Sequence, residues 1–396
     1  MRSISDLPEL PLYDPDQLGK PPIPEVTGSG QWCGMDPYGS LVIWGYEMAL
    51  AVLEDREMWA ATVEQSSGGA LTSGPAYDWS RTISSFTDGP DQMRLRAAVA
   101  PAFSRQQMEQ LRPMVRDVAR RTVREFVERI TSQQSADLVD ALAMPYPLRV
   151  FAKIIGRSEV DLVAIGDAAT TMTRMWSYTS GQFREELDRS IAELGGFAAD
   201  VRRCPVGLAA HVESIDLPEP ARQSLMIQML VGGWETTGSQ VACLLHVLAR
   251  PGNWARLHDG TSTKAIVDET LRLQPATPAV MRFADTSTVL GDVEVPAGTR
   301  VVPLFMWASR DASVFEDPDE WRPERYEADP PARRPLAFSH GRHRCLGERL
   351  AEIELEEFVD ALRDLAPEPG CHVDVTAPWQ DHHRPRRPAV LPAWLP

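Results

Sequence analysis

The chain has 396 residues and a formal net charge of −16 at neutral pH. Because an acidic surface repels the nucleic-acid backbone, no nucleic-acid partner is predicted. The apolar fraction, 43%, is ordinary for a globular protein, and no stretch approaches the roughly 18 apolar residues of a membrane span, so no membrane association is predicted.

Helical patterns dominate the first two thirds of the chain. A short helix is predicted near residues 45–60, and residues 64–90, which are rich in Ser, Gly, Thr and Pro, predict a long loop. Loops of that length inside a compact domain are often functional. Further helices are predicted over residues 91–103, 105–132, 136–156, 158–175, 181–203 and 221–249.

Short strand patterns come late, at residues 289–290, 293–295 and 300–304, and Gly291-Asp292 is typical of a hairpin turn. The sequence therefore predicts a mainly α fold with a small, largely antiparallel β portion. It contains no linker, repeat or low-complexity tract, and we expect one domain over residues 1–396.

The cysteines indicate a reducing compartment. They are an odd and sparse set without the spacing of a disulfide framework. The N-terminus lacks the apolar region of a signal peptide, so a cytoplasmic location is predicted. The five cysteines are Cys33, Cys204, Cys243, Cys345 and Cys371.

The predicted helix 221–249 contains an unusual polar and glycine-rich segment, residues 232–238, with the sequence Gly-Gly-Trp-Glu-Thr-Thr-Gly. A glycine inside a helix costs about 1 kcal/mol relative to alanine, and a buried carboxylate costs more unless it is paired. Gly232 and Gly233 would let a flat cofactor approach the backbone, Thr236 could bond a ligand, and Glu235 could relay protons. The alternative is a kinked core helix whose polar residues face a water-filled gap.

Cys345 lies in a loop, residues 338–347, directly before an amphipathic helical pattern. Backbone N–H groups at a helix start, together with Arg342 and Arg344, favour a thiolate, which is a credible axial ligand for haem iron. Two other interpretations are open at this point. Cys345 could be a buried free cysteine, or it could bind zinc with His340 and His343, although the paired spacing of structural zinc sites is missing.

The loop resembles the haem-binding loop of the cytochrome P450 family, in which Phe338, Gly341, His343, Cys345 and Gly347 occupy the fixed positions. Longer versions of the motif have a glycine where this chain has Ser339. The segment 232–236 resembles the central-helix motif of the same family, residues 269–272 resemble its ExxR element, and residues 317–325 resemble the segment before the haem loop. The resemblance implies the cytochrome P450 fold, with haem b held between a long central helix and the helix after the Cys345 loop.

The resemblance also implies roles for individual residues. Cys345 would be the axial iron ligand, and Thr236 and Glu235 would deliver protons. Arg282, His343 and Arg96 would bind the haem propionates, and Gln92 would contribute a neutral hydrogen bond. Glu269, Arg272 and Arg325 would form a buried ion network that serves folding. The remaining cofactor-binding positions would be Phe338, Gly341, Gly347 and Gly233.

The implied activity is that of a haem-thiolate monooxygenase. It would insert oxygen from O2 into a small apolar or aromatic organic molecule, such as a natural-product intermediate, with electrons from NAD(P)H through a ferredoxin and its reductase. Substrate contacts are expected from residues 64–88, 168–183, 229–233, 277–281 and 380–383, with Tyr77, Trp79, Phe86 and Trp176 as aromatic candidates. Arg342 and Arg344 are expected to help dock the ferredoxin.

Three alternatives stay open from the sequence. The same chemistry could couple aromatic rings or form C–C bonds, the protein could be a haem-thiolate sensor or carrier without turnover, or it could be a zinc-stabilised helical interaction module. The proton-relay pair Glu235-Thr236 argues against a simple ligand carrier.

Overall fold

The computed structural model describes residues 1–12, 20, 22, 23, 26, 30–176, 180–366, 371–380 and 385–395. Helices make up most of the described chain. The α-helices are Tyr46–Glu54, Val63–Ser66, Pro75–Ser80, Gly89–Val99, Arg105–Gln133, Pro145–Ile154, Glu159–Ala164, Gly166–Thr173, Arg184–Arg203, Gly207–Ser214, Glu219–Gly232, Glu235–Leu248, Thr263–Leu273, Phe305–Ala308 and Glu348–Leu365. Short 3-10 helices, among them Ala100–Phe103, Pro323–Tyr326 and Gly341–His343, connect several of them.

The strands are short and form three small sheets. The largest sheet orders its strands as Cys33–Met35, Leu41–Ile43, Arg300–Pro303, Arg282–Ala284 and Met58–Ala60. The second sheet joins Arg2–Ser3, Val293–Val295 and Thr288–Leu290, and the third joins His372–Val373, Pro392–Trp394 and Ser135–Asp137. Most pairings are antiparallel, as predicted, and the exceptions are Arg2–Ser3 with Val293–Val295 and Leu41–Ile43 with Arg300–Pro303. The predicted turn at Gly291 joins two antiparallel strands, with a φ of 57° that suits glycine.

The helix that follows the Cys345 loop, Glu348–Leu365, is called the Cys helix below. It packs along the long helix Arg105–Gln133, whose apolar side buries Val115, Val118 and Phe126. Charged side chains also join the two helices, because buried Glu357 accepts from Arg112 Nη1 and Arg116 Nε, each at 2.8 Å. The Cys345 loop is therefore followed by a helix that is fixed on a rigid neighbour.

The predicted ion network is confirmed. Glu269 and Arg272 are fully buried, and Arg272 Nε lies 2.7 Å from Glu269 Oε2. Arg325 Nε donates to Glu269 Oε1 at 3.0 Å, and Arg272 Nη1 donates to the carbonyls of Ser309 and Pro318 at 2.6 and 2.7 Å. Since each buried charge has a partner, the network holds the helix Thr263–Leu273 against the segment that precedes the Cys345 loop.

Several predicted elements need correction. The predicted helix 45–60 ends at Glu54, and Met58–Ala60 is a strand. The predicted helix 158–175 divides into Glu159–Ala164, Gly166–Thr173 and a 3-10 helix. The predicted loop 64–90 contains the helices Val63–Ser66 and Pro75–Ser80, and the predicted helix 136–156 divides into the strand Ser135–Asp137, the π-helix Val139–Ala143 and the helix Pro145–Ile154. The predicted helix 221–249 is interrupted, and its halves, Glu219–Gly232 and Glu235–Leu248, are called the first and second central helices below. Within the described residues, no helix is both long and apolar enough to cross a membrane.

Candidate functional site

Backbone contacts fix the loop that carries Cys345. The N–H of Cys345 donates to the carbonyl of Phe338 at 2.9 Å, which closes the loop on itself. Gly341 has a φ of 66°, and a Cβ there would lie 2.2 Å from the carbonyl oxygen of Leu53. Gly341 is therefore required by its contact with the end of helix Tyr46–Glu54, and Gly347 caps the Cys helix.

Ser339, the residue that departs from the glycine of the longer motif, adopts the glycine conformation nevertheless. Its φ is 59°, in the left-handed region that side chains with a Cβ rarely occupy. It is 9% exposed, and its Oγ is buried without a partner among the described residues. The loop thus keeps its shape at the expense of local strain.

The side chain of Cys345 faces an internal cavity of about 440 Å³, which accounts for its exposed surface although protein surrounds it. Burial raises the pKa of its thiol, while the Gly347 N–H and the charges of Arg96 and Arg344 act in the opposite direction. The loop charges therefore act in the predicted direction, and burial is the larger influence. A metal cation bound to the sulfur would favour the thiolate further.

Cationic side chains line the same cavity. Arg96 donates from Nη2 to the carbonyl of Arg344 at 2.6 Å, and Arg282, 5% exposed, donates from Nη1 to the carbonyl of Met281 at 2.9 Å. Two guanidinium groups beside one cysteine in a largely apolar cavity suit a flat cofactor with two carboxylates. The described residues therefore fit haem.

His343 and Gln92 are engaged differently from what the sequence predicted. His343 lines the cavity, but its Nε2 lies 3.0 Å from Asp88 Oδ1, and burial lowers its pKa while Asp88 acts to raise it. Gln92 is 1% exposed and donates from Nε2 to the carbonyl of Arg342 at 2.9 Å, and it is not among the described lining residues. Gln92 therefore supports the backbone of the Cys345 loop in this structure.

The two arginines expected on a docking face are also held by the protein. Arg342 Nε lies 2.9 Å from Asp88 Oδ1, and its Nη2 donates to the carbonyl of Arg56 at 2.7 Å. Arg344 is more accessible, with 44% of its side chain exposed, and pairs with Glu348. Arg344 is thus the better placed of the two for contact with a partner.

The break between the two central helices lies directly over the cavity. A Cβ on Gly233 would lie 2.5 Å from the carbonyl oxygen of Met229 and 2.6 Å from the ring of Phe151, so packing requires this glycine. No described atom lies within 4 Å of the corresponding position on Gly232, which also lines the cavity. The sequence predicted an open backbone surface at both glycines. The structure has such a surface at Gly232, whereas Gly233 lines the cavity but is required by its packing against Met229 and Phe151.

Thr236 also lines the cavity, and its Oγ1 donates to the carbonyl of Gly232 at 3.0 Å. Glu235, the first residue of the second central helix, is fully buried, and its carboxyl group interacts with Thr170, Arg174 and Arg387. Burial raises the pKa of Glu235 to about 7, although Arg387, Thr170 and Arg174 act to lower it. A carboxyl group with this pKa can gain and lose a proton near neutral pH.

The expected substrate contacts are partly found. Phe86, Met229, Thr277 and Met281 line the cavity. Trp79 instead packs in the core and donates to the carbonyl of Ser224, and Tyr77 bonds Glu64, so neither is among the described lining residues. The side chain of Trp176 and residues 381–384 lie outside what the structure describes.

Two features of the cavity were missed. Glu354, on the Cys helix, is 1% exposed and lines the cavity, and burial raises its pKa well above the ordinary value. Its position four residues from both Leu350 and Phe358 places it on the apolar face, a signal that the sequence does contain. Ser84, Ser85 and Gln228 form a polar patch on the cavity wall that no sequence pattern marked.

The zinc alternative lacks a matching geometry. No group of three or more His, Cys, Asp or Glu side chains within the described ranges is arranged to hold a metal ion. His340, His343 and Cys345 therefore do not form a ligand cluster in this part of the structure. The five cysteines are all free.

Comparisons with known proteins agree on one family. The cytochrome P450 family model matches residues 219–362. The chain is 34% identical to nocardicin C N-oxygenase from Nocardia uniformis subsp. tsuyamanensis over 77% of each sequence. It is 30% identical to erythromycin C-12 hydroxylase from Saccharopolyspora erythraea, over 69% of this chain and 71% of the relative. Among solved structures, P450BioI in complex with an acyl carrier protein superposes with a TM-score of 0.82 and 21% identity, covering 94% of this chain and 97% of that one.

Proposed function

The chain belongs to the cytochrome P450 family and is a haem-binding monooxygenase, and on that premise we propose that Cys345 is the axial ligand of the haem iron. The observation that carries this proposal is the placement of Cys345, whose side chain faces a cavity also lined by Arg96 and Arg282. Bound haem supplies the redox chemistry with O2. The protein supplies a fixed ligand, cations for the propionates, and a cavity that separates the reaction from solvent.

The loop geometry supports the role of Cys345. Its own N–H is occupied by Phe338, and its sulfur accepts a backbone hydrogen bond from Gly347. Such a bond stabilises negative charge on sulfur, which burial alone opposes. Arg96 adds a positive charge, and its bond to the carbonyl of Arg344 keeps it beside the ligand.

We propose that Glu235 and Thr236 handle the protons of the reaction. Thr236 Oγ1 is at the break between the central helices, where it can exchange the Gly232 carbonyl for another acceptor in the cavity. Glu235 precedes it in the chain and carries a buried carboxyl group whose pKa is raised to about 7. The pair can therefore hold a proton at Glu235 and present one at the Thr236 hydroxyl.

The substrate is an organic molecule. We propose that it is an intermediate of natural-product biosynthesis, because the similar proteins include a nocardicin C N-oxygenase and an erythromycin C-12 hydroxylase. The apolar part of the cavity wall, with Phe86, Leu225, Met229 and Met281, supports a ligand with a substantial apolar body. These relatives favour oxygen insertion over aryl coupling or ligand sensing.

We further propose that electrons come from NAD(P)H through a ferredoxin and its reductase, and that Arg344 contributes to the docking face. The side chain of Arg344 is partly exposed, and Arg344 directly precedes Cys345 in the sequence. The cytoplasmic location and the single domain over residues 1–396 stay predictions from the sequence.

The experiment that tests the activity uses the purified holoprotein with a ferredoxin, its reductase, NADPH and ¹⁸O2. Compounds from a natural-product library that change the spin state of the haem are the candidate substrates. Monooxygenation predicts a product that carries one ¹⁸O atom. A product that has lost two hydrogen atoms and carries no ¹⁸O would indicate coupling, and spin-state changes without any product would indicate a sensor.

A further inference from the structure

The cavity wall contains a small polar patch, defined by Ser84, Ser85 and Gln228. Gln228 lies on the first central helix, and its Nε2 donates to Ser85 Oγ at 3.1 Å and to Ser84 Oγ at 3.5 Å. All three residues line the cavity. The patch therefore joins the loop before helix Gly89–Val99 to the first central helix.

The patch keeps unused hydrogen-bonding capacity. Both serine hydroxyls accept from Gln228, so each retains its own O–H hydrogen as a donor. Gln228 Oε1 has no hydrogen bond within the described ranges and can accept one. Ser66, fully buried on the same cavity wall, adds a hydroxyl whose Oγ has no partner among the described residues.

The patch is uncharged. The ionisable groups among the described lining residues are Arg96, Arg282, His343, Cys345 and Glu354, and none of them is part of the patch. A ligand carboxylate at the patch would lie against the Gln228 carbonyl and have no cation beside it. A ligand ammonium would have no anion beside it. Burial of either charge would therefore be unfavourable, because little would compensate for the loss of its hydration. A neutral group that both donates and accepts satisfies the patch.

The position of the patch sets which part of a ligand it contacts. Gln228 precedes Gly232 by four residues on one helix, so the two lie on the same face about 6 Å apart along the axis. Gly232 carries the open backbone surface beside Thr236. A group bound at Gln228 is therefore held one helical turn from the region assigned to oxygen chemistry.

We propose that Ser84, Ser85 and Gln228 form a specificity site that binds a neutral carboxamide or hydroxyl group of the substrate. This inference rests on the proposed function, because it assigns part of the same cavity to substrate recognition. It refines the expected apolar or aromatic substrate to a molecule with an apolar body and an uncharged polar group. The remainder of the molecule extends toward Gly232 and is the part that is oxidised.

The test uses three ligands with one skeleton: 4-phenylbutanamide, butylbenzene and 4-phenylbutanoate. Their affinities for the holoprotein are measured by calorimetry and by the spin-state change of the haem. The amide is expected to bind about tenfold more tightly than each of the others, the gain typical of one or two hydrogen bonds in a buried site. Failure of the amide to bind more tightly than butylbenzene, whether both bind or neither does, overturns the proposal.

Variants locate the effect. Gln228→Leu and Ser85→Ala are expected to weaken amide binding about tenfold and to leave butylbenzene within twofold. Met229→Leu, at the next position and also lining the cavity, is the matched control and should change the affinities of amide and butylbenzene by the same factor.

Equal losses for amide and hydrocarbon in Gln228→Leu would contradict the proposal. The carbon monoxide spectrum of the same samples separates this outcome from failure of the proposed function. A thiolate-type spectrum without an amide preference would overturn the specificity site alone. Absence of that spectrum would overturn the ligand assignment itself.

Discussion

Thr236 Oγ1 donates a hydrogen bond to the carbonyl oxygen of Gly232, 3.0 Å away, across the break between the two central helices. An uninterrupted helix would use that carbonyl for the backbone N–H of residue 236. Here the side chain makes the bond, so the hydroxyl is held at the cavity surface. This contact links the broken helix to the proposed chemistry.

Thr236→Ala is expected to lower the rate of product formation about 10- to 100-fold, within the range typical of a lost proton-transfer group. Haem content and the carbon monoxide spectrum should stay unchanged, because the Thr236 side chain bonds the first central helix. Thr236→Ser keeps the hydroxyl and is the control, with activity expected within a few-fold of the wild type. Equal activity of the alanine and serine variants would show that the hydroxyl has no part in turnover.

Glu235 should make the stability of the protein depend on pH. Burial raises the pKa of Glu235 in the folded protein to about 7. In the unfolded chain the carboxyl group has its ordinary pKa, about 4.3. Between these two pH values the folded protein therefore holds a proton that the unfolded chain has released. The stabilisation is therefore complete below that ordinary pKa and is lost as pH rises through about 7. Glu235→Gln removes this dependence. Between pH 5 and pH 8, the free energy of unfolding of this variant should therefore rise by about 2 kcal/mol relative to that of the wild type.

Urea unfolding of the holoprotein at several pH values measures this difference. The exposed substitution Glu128→Gln is the control, with an expected change of about 0.5 kcal/mol or less at every pH. Parallel stability curves for Glu235→Gln and the wild type would mean that Glu235 does not titrate in this range.

The two central-helix glycines should respond differently to alanine. In Gly233→Ala the new Cβ would meet the carbonyl of Met229 and the ring of Phe151, and we expect a loss of about 1–3 kcal/mol in the free energy of unfolding. In Gly232→Ala the methyl group enters the cavity, so stability should stay within about 1 kcal/mol while the Soret band of the ligand-bound protein shifts. Equal loss of stability in both variants would contradict this assignment of the two faces.

Ser339→Gly should stabilise the protein. A left-handed conformation destabilises the folded state by about 1–2 kcal/mol for a residue with a Cβ, and glycine removes this strain. Glycine also makes the unfolded chain more flexible, which offsets about 0.5–1 kcal/mol of the gain. We therefore expect the free energy of unfolding in urea to rise by about 0.5–1 kcal/mol. Ser339→Ala retains the Cβ and separates the backbone effect from removal of the unpartnered hydroxyl. Destabilisation by glycine would show that the serine hydroxyl makes a contact that outweighs the strain.

The sequence was sufficient where a short motif determines local geometry. The loop around Cys345, the turn at Gly291 and the pairing of Glu269 with Arg272 and Arg325 follow from residue types at fixed spacing, and the structure contains the last two as predicted. The main-α architecture with a minor antiparallel sheet follows from periodicity.

The sequence was insufficient where a partner comes from a distant segment. The need for Gly233 depends on Phe151, and the partner of Gln92 is a carbonyl of the Cys345 loop, so neither could be read from neighbouring residues. The break at residues 233–234 interrupts a helix that the sequence predicts as continuous, because glycine is tolerated inside helices and the conformation of Trp234 depends on its surroundings. The patch of Ser84, Ser85 and Gln228 joins segments with no common pattern.

The measurement that tests the central claim most directly is the visible spectrum of the reduced protein with carbon monoxide, compared between the wild type and Cys345→Ala. We predict a Soret band shifted far to the red in the wild type and in Cys204→Ala, a control at an exposed cysteine, and loss of that band in Cys345→Ala. An unchanged band in Cys345→Ala would contradict the account.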